Sequence, residues 1–253
     1  MALCGVLFLP FVWRGRSRLA TATRGDWARM VCVGLFGYAL PLALGTYGVK
    51  LSSATSASLL VGIEPVTIVL LSAVFLGEAL TGLKVVSLVL GLSGALLIAF
   101  QGLPTLSGAF TDRLKGDLIL ALHGSCWALY SVLGKSALKR VDPLDFTAIT
   151  SVIGFFGVAL WALPGTQPSA WAATSGGAWL AMAYLAVAGG FLGVILWNVA
   201  LKRVEASKVA NFIFLQPVVG VLLGVGLQGD PITAWSMAGG ALILGGMYAA
   251  GHS

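Results

Sequence analysis

Ionisable and hydrogen-bonding side chains interrupt segments of this sequence that are otherwise apolar from end to end. In the run 56–78, the carboxylate of Glu64 is followed at once by Pro65. A carboxylate at the centre of a membrane helix costs about 2.5–3.5 kcal/mol, and proline removes a backbone donor. Such groups are rare in apolar helices and mark solute, ion or proton paths. The chemistry that this pair offers is therefore binding of a proton, a cation or a polar solute.

A second proline site lies 152 residues further along the chain, where Gln216 precedes Pro217 inside another apolar run. Proline frees the carbonyl four residues before it, so Pro65 and Pro217 are predicted helix-kink residues. Irregular backbone at membrane depth is tolerated only beside protein or a water-filled cavity. Two interpretations of Glu64 stay open: a polar wall residue that holds a proton or cation, or a protonated or hydrogen-bonded residue that packs between helices.

Other candidate residues lie on single faces of predicted helices. His123, Trp127 and Tyr130 follow the spacing i, i+4, i+7 and form one stripe. Facing inward, this stripe would give a cavity a stacking surface with few charges. The alternative is ordinary packing, because Trp and Tyr near helix ends are usually interfacial anchors. The remaining candidates for a solute path are Tyr47, Trp197, Asn198, Asn211 and Gln216.

The sequence contains no motif for catalysis, and its one G-x-G-x-x-G match, residues 224–229, ends an apolar run without the βαβ unit that could hold a pyrophosphate. The two histidines, His123 and His252, are far apart, and neither an HExxH pair nor paired aspartates in one helix occur. The cysteines Cys4, Cys32 and Cys126 match no metal-ligand spacing. An ATP-binding motif is also missing. We therefore predict a protein that is not an enzyme and holds no cofactor or metal, and any transport would be secondary.

The composition identifies the solvent in which these residues lie. Of the 253 residues, 58% are hydrophobic and 9% are charged, against about 25% charged in soluble proteins. The mean hydropathy is +0.96. These values predict an all-α polytopic membrane protein, because eight apolar runs approach the length that spans a bilayer as a helix. The runs are 30–47, 54–77, 80–100, 118–136, 146–163, 178–201, 209–227 and 232–250; a ninth, 1–13, is too short to cross.

The chain contains an internal duplication. Residues 37–101 align with residues 189–253 without a gap, and one pair of prolines, Pro65 and Pro217, and several glycines coincide. In each copy an acidic residue, Glu78 or Asp230, follows a glycine between two apolar runs. A carboxylate is favourable near a helix N-terminus, so we expect these residues to cap the helices that begin next.

The duplication predicts two repeats, residues 1–103 and 116–250, built on five helices each. The first copy lacks its first one and a half helices, so about nine helices are visible of an expected ten. We expect a chain truncated at its start or given a misassigned start; an unrelated short N-terminal anchor is the alternative.

Basic residues are distributed unequally between the predicted loops. Twelve of the 15 Lys and Arg residues fall on one side of the spans and three on the other. The positive-inside rule places the rich side, and with it the C-terminus, in the cytoplasm. Five helices per copy is an odd number, so the copies should be inverted, as is typical of secondary transporters. The net charge of +6 is thus mostly topological, and nucleic acid is not an expected partner.

Three segments carry a resemblance to a known family. They are "SASLLVGIEPVTIVLLSAVFLGEALTGLKVVSLVLGLSGALLIA", its echo "ASKVANFIFLQPVVGVLLGVGLQGDPITAWSMAGGALILGGMYAA", and "GDLILALHGSCWALYSVLGKSALKR". With them the whole chain resembles the EamA-type family of the drug/metabolite transporter superfamily. The resemblance implies ten helices in two inverted repeats around a central cavity, and export or exchange of small metabolites. The chain departs from this pattern in its absent first helix and in Gln216, where the first copy has Glu64.

We therefore expect a secondary transporter that exports small metabolites by alternating access, located in the bacterial inner membrane. Its partners would be a small-molecule metabolite, the lipid bilayer and, through Glu64, a coupling proton. Two alternatives stay open: a structural or sensory membrane module without transport, and an inactive fragment, because the absent helix would line the cavity.

Overall fold

The computed structural model describes residues 2–52, 60, 62–100, 110–162, 174–223, 225–226 and 232–253. In this part of the chain there are nine helices and no strand. The helices are α1 (Ala2–Leu19), α2 (Arg24–Leu51), α3 (Ile63–Leu76), α4 (Gly82–Phe100), α5 (Phe110–Leu138), α6 (Pro143–Ala162), α7 (Gly176–Arg203), α8 (Ala206–Leu223) and α9 (Ala234–Gly251). The predicted all-α fold class is confirmed.

Five of these helices are long and apolar enough to cross a membrane: α2, α5 from Leu114 onward, α6, α7 and α8. α3 and α4 are apolar but shorter over the residues that were searched. Along α7, large apolar side chains are exposed, among them Leu180 at 73% and Leu196 at 67%. Exposed apolar surface that continues along a whole helix fits lipid chains rather than water. The chain is therefore a polytopic membrane protein.

Hydroxyl side chains fix where three helices begin. At α2, the hydroxyl of Thr23 accepts from the backbone N–H of Asp26, whose carboxylate accepts in return from the N–H of Thr23. Ser175 and Thr233 cap α7 and α9 in the same position. Such caps satisfy N–H groups of the first turn that have no partner within the helix. At α2 and α7 the cap starts the helix before the predicted apolar run, whereas Thr233 starts α9 inside the run 232–250, because a helix begins at its cap and not where its apolar surface begins.

Two helices contain a stretch of wider, π-helical turns. These stretches are Val33–Ala39 within α2 and Leu185–Gly193 within α7. Their first residues lie 152 positions apart, as do the first residues of α2 and α7 and those of α4 and α9. Helix boundaries thus recur with the offset found in the sequence. The inverted orientation of the two copies stays a prediction.

The helices form two compact units. Unit 1 comprises Met1–Ala43 and Leu129–Arg203, and unit 2 comprises Leu44–Ala128 and Val204–Ser253. Each unit therefore takes residues from both predicted repeats, and α2 and α5 are each divided between the two units. The boundaries of the two repeats stay a prediction from the sequence.

In unit 1, α6 packs against α1 and against the π-helical part of α2. The contact with α2 is close, because a Cβ added at Gly34 would lie 2.7 Å from Cγ2 of Ile153. The rings of Phe8 on α1 and Phe191 on α7 lie 4.6 Å apart between their centroids. Small residues at helix contacts and aromatic pairs are typical of packing within membranes.

In unit 2, α4 and α9 pack with their backbones in direct contact. A Cβ added at Gly239 would lie 2.6 Å from the carbonyl oxygen of Gly94. Beside this contact, Ile98, Phe214 and Ile243 form a buried core cluster. Phe214 belongs to α8, so this cluster joins α8 to the α4–α9 pair.

Candidate functional site

A buried hydrogen-bonding cluster lies in unit 1, formed by Tyr130 of α5, Thr147 of α6 and Asn198 of α7. The amide Nδ2 of Asn198 donates to the Tyr130 hydroxyl at 2.7 Å and to the Thr147 hydroxyl at 2.8 Å. The Thr147 hydroxyl donates its own hydrogen to the carbonyl oxygen of Pro143 at 2.6 Å, so it can only accept from Asn198. This arrangement fixes the orientation of the amide. Its oxygen Oδ1 is buried and has no hydrogen-bond partner among the described residues.

Aromatic rings surround this cluster. The Tyr38 ring of α2 and the Phe146 ring of α6 lie 6.1 Å and 6.2 Å from the Tyr130 ring. The indole N–H of Trp197 donates to the hydroxyl of Ser131 at 3.2 Å. Three predicted site residues, Tyr130, Trp197 and Asn198, therefore lie in unit 1, and Asn198 contacts Tyr130 directly.

Asn211 repeats this situation in unit 2. Its Nδ2 donates to the carbonyl oxygen of Ser207 at 2.9 Å, and a carbonyl can only accept, so the amide orientation is again fixed. Asn211 is buried, and its Oδ1 has no partner in the described part of the chain. It begins a short 3-10 segment, Asn211–Phe214, within α8.

The described residues contain three buried side-chain oxygens without a hydrogen-bond partner: Ser151 Oγ, Asn198 Oδ1 and Asn211 Oδ1. Two of the three belong to predicted solute-path residues. A buried polar atom left unpaired costs about 1–3 kcal/mol, so each one requires an explanation. An amide oxygen of this kind can accept a hydrogen bond from an N–H or O–H group of a solute or of water.

Glu64 lies in the first turn of α3 and is half-buried. It adjoins α5, because a Cβ added at Gly124 would lie 3.6 Å from the backbone nitrogen of Glu64. Pro65 is buried in the same first turn, where its missing N–H removes no bond within the helix. Residues 53–59 and 61 lie outside the described part, so the predicted bend at Pro65 stays a prediction.

Gln216 differs from Glu64 in its surroundings. It is exposed, whereas Glu64 is half-buried. The helix around it changes from the 3-10 segment Asn211–Phe214 to the α-helical segment Leu215–Leu223, and Pro217 lies in the first turn of that second segment. Irregular backbone therefore precedes Pro217 directly. The equivalence of Gln216 with Glu64 in sequence does not extend to equal burial.

The remaining predicted residues lie in unit 2. The His123 and Trp127 rings meet edge to face with centroids 6.5 Å apart, and both side chains are half-buried. A Cβ added at Gly45 of α2 would lie 2.8 Å from Nδ1 of His123. Tyr47, also on α2, is 51% exposed. His123 is thus closely packed against α2, while the choice between cavity lining and packing stays open for Trp127.

One functional contact differs from the sequence prediction. We expected Glu78 to cap the next helix, α4, but that expectation is wrong. Gly77 ends α3 in a left-handed conformation with φ 69°, and the Glu78 carboxylate then accepts from the backbone N–H groups of Ala206 and Ser207 at 2.7 and 3.0 Å. The Ser207 hydroxyl donates to it at 2.6 Å. Glu78 therefore caps α8, 128 residues away in sequence.

The surroundings of Glu78 determine its charge state. Burial raises the pKa of Glu78, but the hydrogen bonds from Ser207 and Ala206 outweigh burial and hold the pKa below its ordinary value. An ion pair lies next to this cap: Nζ of the buried Lys84 lies 2.8 Å from Oε2 of Glu205. The α3–α4 loop and the turn before α8 are therefore in contact, as expected for two loops predicted on the same membrane side.

Comparison with known proteins identifies the family. Polytopic helical membrane proteins with polar groups buried in apolar helices include many transporters. The model of the EamA-like transporter family matches residues 1–100 and 114–251. The chain belongs to the EamA-like transporter family.

Relatives and a solved structure agree with this family. "Uncharacterized transporter YyaM" of Bacillus subtilis is 32% identical over 222 residues, which cover 86% of this chain and 70% of that protein. "Uncharacterized protein PA1977" of Pseudomonas aeruginosa is 32% identical over 247 residues, covering 96% and 79%. "Probable terminal-alkyne amino-acid exporter" of Streptantibioticus cattleyicolor is 27% identical over 194 residues, covering 77% and 63%. A crystal structure of a protein that is 23% identical matches 98% of this chain and 83% of that protein's chain, with a TM-score of 0.78. This similarity shows the fold alone.

Proposed function

We propose that this chain is a secondary transporter that exports small metabolites from bacterial cells by alternating access, along a solute path between the two predicted repeats. The family match over both halves of the chain supports transport as such. The direction is supported by the relative described as a "Probable terminal-alkyne amino-acid exporter". We place the C-terminus in the cytoplasm, because the loops on its side of the predicted spans carry most of the basic residues.

The observation that carries the proposed solute contacts is one unpaired buried amide oxygen within each unit, on Asn198 in unit 1 and on Asn211 in unit 2. Asn198 uses both hydrogens of its Nδ2 group and Asn211 uses one, so each amide orientation is fixed and each side chain offers an acceptor oxygen. Such acceptors select a solute with N–H or O–H groups, and they would otherwise reduce stability without compensation. We assign contact with the solute to Asn198 and Asn211, and stacking against the solute to Trp127.

Glu64 has a different role in this proposal. Its carboxylate is half-buried and has neither a hydrogen bond nor an ion pair within the described residues. An ionisable group in such a position can exchange a proton when the path opens to water. We assign proton coupling to Glu64, with Gln216 as a neutral hydrogen-bonding residue of the second repeat.

The experiment compares export of labelled amino acids and nucleobase-like metabolites by cells that carry the wild-type chain or single variants. Asn211→Leu removes the unpaired oxygen at similar volume, so we expect about a tenfold loss of export, equivalent to about 1.4 kcal/mol, at unchanged membrane abundance. Asn198→Leu should lower export as well.

The matched control is Ser125→Ala, because that hydroxyl donates to the Ala121 carbonyl of its own helix at 3.0 Å and leaves nothing unpaired when removed. Its export should equal wild type. If Asn211→Leu exports as well as Ser125→Ala, or if abundance falls in proportion to export, the assigned role of the amide oxygens is wrong.

A further inference from the structure

A cavity of about 570 Å³, lined in part by charged side chains, lies in unit 1. Its wall is built from the connection between α1 and α2 near Thr23, the turn between α5 and α6 near Arg140, and the last turn of α7 at Lys202. All three segments belong to the basic side that the sequence predicts to be cytoplasmic. The volume lies within the range of pockets that hold small ligands.

The carboxylates in this wall are already occupied. Asp145 is bound by both Nε and Nη2 of Arg18, at 2.7 and 2.9 Å. Asp26 accepts from the backbone and hydroxyl of Thr23 and pairs with a neighbouring arginine of its own helix. Asp142 accepts from the backbone N–H two residues later, at the start of α6. Asp145 and Asp26 are therefore each paired with an arginine, whereas the partner of Asp142 is a backbone N–H group.

The basic groups of the wall are less fully used. The side chain of Arg140 is exposed, and its guanidinium makes no hydrogen bond or ion pair with the residues that the structure describes, although its charge interacts favourably with the carboxylate of Asp26. Lys202 is also exposed, and its Nζ makes one long hydrogen bond of 3.4 Å to the carbonyl of Val141. Arg18 keeps Nη1 outside its pairing with Asp145. Counting Arg29, which pairs with Asp26, the site holds four basic and three acidic side chains, so the donors of Arg140 and Lys202 remain while Asp142 keeps its charge.

We propose that this cavity binds a phosphate group through Arg140 and Lys202, next to the Arg18–Asp145 ion pair. A guanidinium and an ammonium together match the charge and the acceptor oxygens of a phosphate. Two sources share this chemistry: the headgroup of an anionic phospholipid, and a free phosphate ion of the cytoplasm. We favour the lipid headgroup as the source of the phosphate, because basic side chains at a membrane surface attract anionic headgroups. Neither Asn198 nor Asn211 is among the residues that line this cavity.

The test uses the purified full chain in two arms. In the lipid arm, native mass spectrometry and thermal unfolding compare protein supplied with phosphatidylglycerol and with phosphatidylcholine. In the ion arm, lipid-depleted protein in detergent receives inorganic phosphate, with chloride at equal ionic strength as reference. We expect phosphatidylglycerol or phosphate to bind and raise the unfolding midpoint of the wild type. The double variant Arg140→Gln/Lys202→Gln should bind the same probe about tenfold more weakly.

The matched control is Lys139→Gln/Arg203→Gln, which removes two exposed charges from the adjacent positions outside the cavity wall. It should retain binding within about threefold of wild type, because only diffuse attraction is lost. Equal weakening by the two double variants would overturn the proposal in favour of a nonspecific basic surface. Failure of both phosphatidylglycerol and phosphate to bind the wild type would overturn it as well. Both double variants replace exposed side chains, and equal unfolding midpoints without ligand verify that each one folds.

Discussion

The cap that Glu78 places on α8 allows a quantitative test of how this fold is held together. Glu78→Gln keeps the size of the side chain but replaces one acceptor oxygen with an NH2 group. That group would face the backbone N–H of Ala206 or Ser207. These two N–H groups now donate hydrogen bonds to the carboxylate at 2.7 and 3.0 Å. Donor would then face donor, and a charge-assisted bond would be lost.

The expected cost follows from these bonds. Loss of an N-cap acceptor costs about 1–2 kcal/mol, and replacing a charged acceptor by a neutral one adds to this, so we expect about 2 kcal/mol in total. For a chain of this size the unfolding midpoint should fall by about 4–8 °C. Ser207→Ala removes only the 2.6 Å hydroxyl bond and should cost about 1 kcal/mol. The double variant should be no worse than Glu78→Gln alone, because both changes remove parts of one network.

The pH dependence has a defined sign. The pKa of Glu78 is lowered in the folded protein, so its contribution to stability is present above the ordinary value of 4.5 and is lost as pH falls below it. Thermal unfolding in detergent between pH 7 and pH 3.5 should therefore show a steeper acid decline for wild type than for Glu78→Gln. Equal midpoints at pH 7, or parallel acid profiles, would refute the assignment of Glu78 as the cap of α8.

Three further predictions use matched variants. Gly239→Ala should destabilise the chain by about 1–3 kcal/mol, because the new Cβ would lie 2.6 Å from a backbone oxygen, whereas Gly240→Ala meets no described atom within 4 Å and should be neutral or slightly stabilising in the same unfolding assay. Cysteines introduced at Ser17 and Ser175, both exposed, should be labelled from opposite sides of the membrane; labelling from one side would contradict the topology. Glu64→Gln should lower export and flatten its pH dependence, and an unchanged profile would leave Glu64 as a packing residue.

The helices of this fold could be predicted closely from apolar runs, and their ends less so. The run 178–201 became α7, Gly176–Arg203, because Ser175 caps the helix before the apolar surface begins. The capping box of α2, formed by Thr23 and Asp26, was not singled out in the sequence, and the start of that helix was therefore predicted too late. The π-helical turns were not predictable from hydropathy, because a wider turn leaves an apolar run equally apolar.

The residues of the candidate site could be predicted from their types, but their hydrogen-bond partners could not. Polarity within apolar runs pointed to Asn198 and Asn211, and both have an unpaired buried oxygen. Thr147, which fixes the orientation of Asn198, was not singled out, although it begins a polar pattern on α6 that continues to Ser151. The cap by Glu78 could not be predicted, since it joins residues 128 positions apart and no local pattern specifies such a contact.

The most direct test of the central claim is solute exchange by purified protein in liposomes. Proteoliposomes loaded with unlabelled amino acids or nucleobase-like metabolites would receive the labelled compound outside, and uptake by exchange would be followed for wild type and Asn211→Leu. The claim predicts exchange of at least one compound above that of protein-free liposomes, reduced about tenfold by Asn211→Leu. Exchange equal to protein-free liposomes for every compound, or Asn211→Leu as fast as wild type, would contradict it.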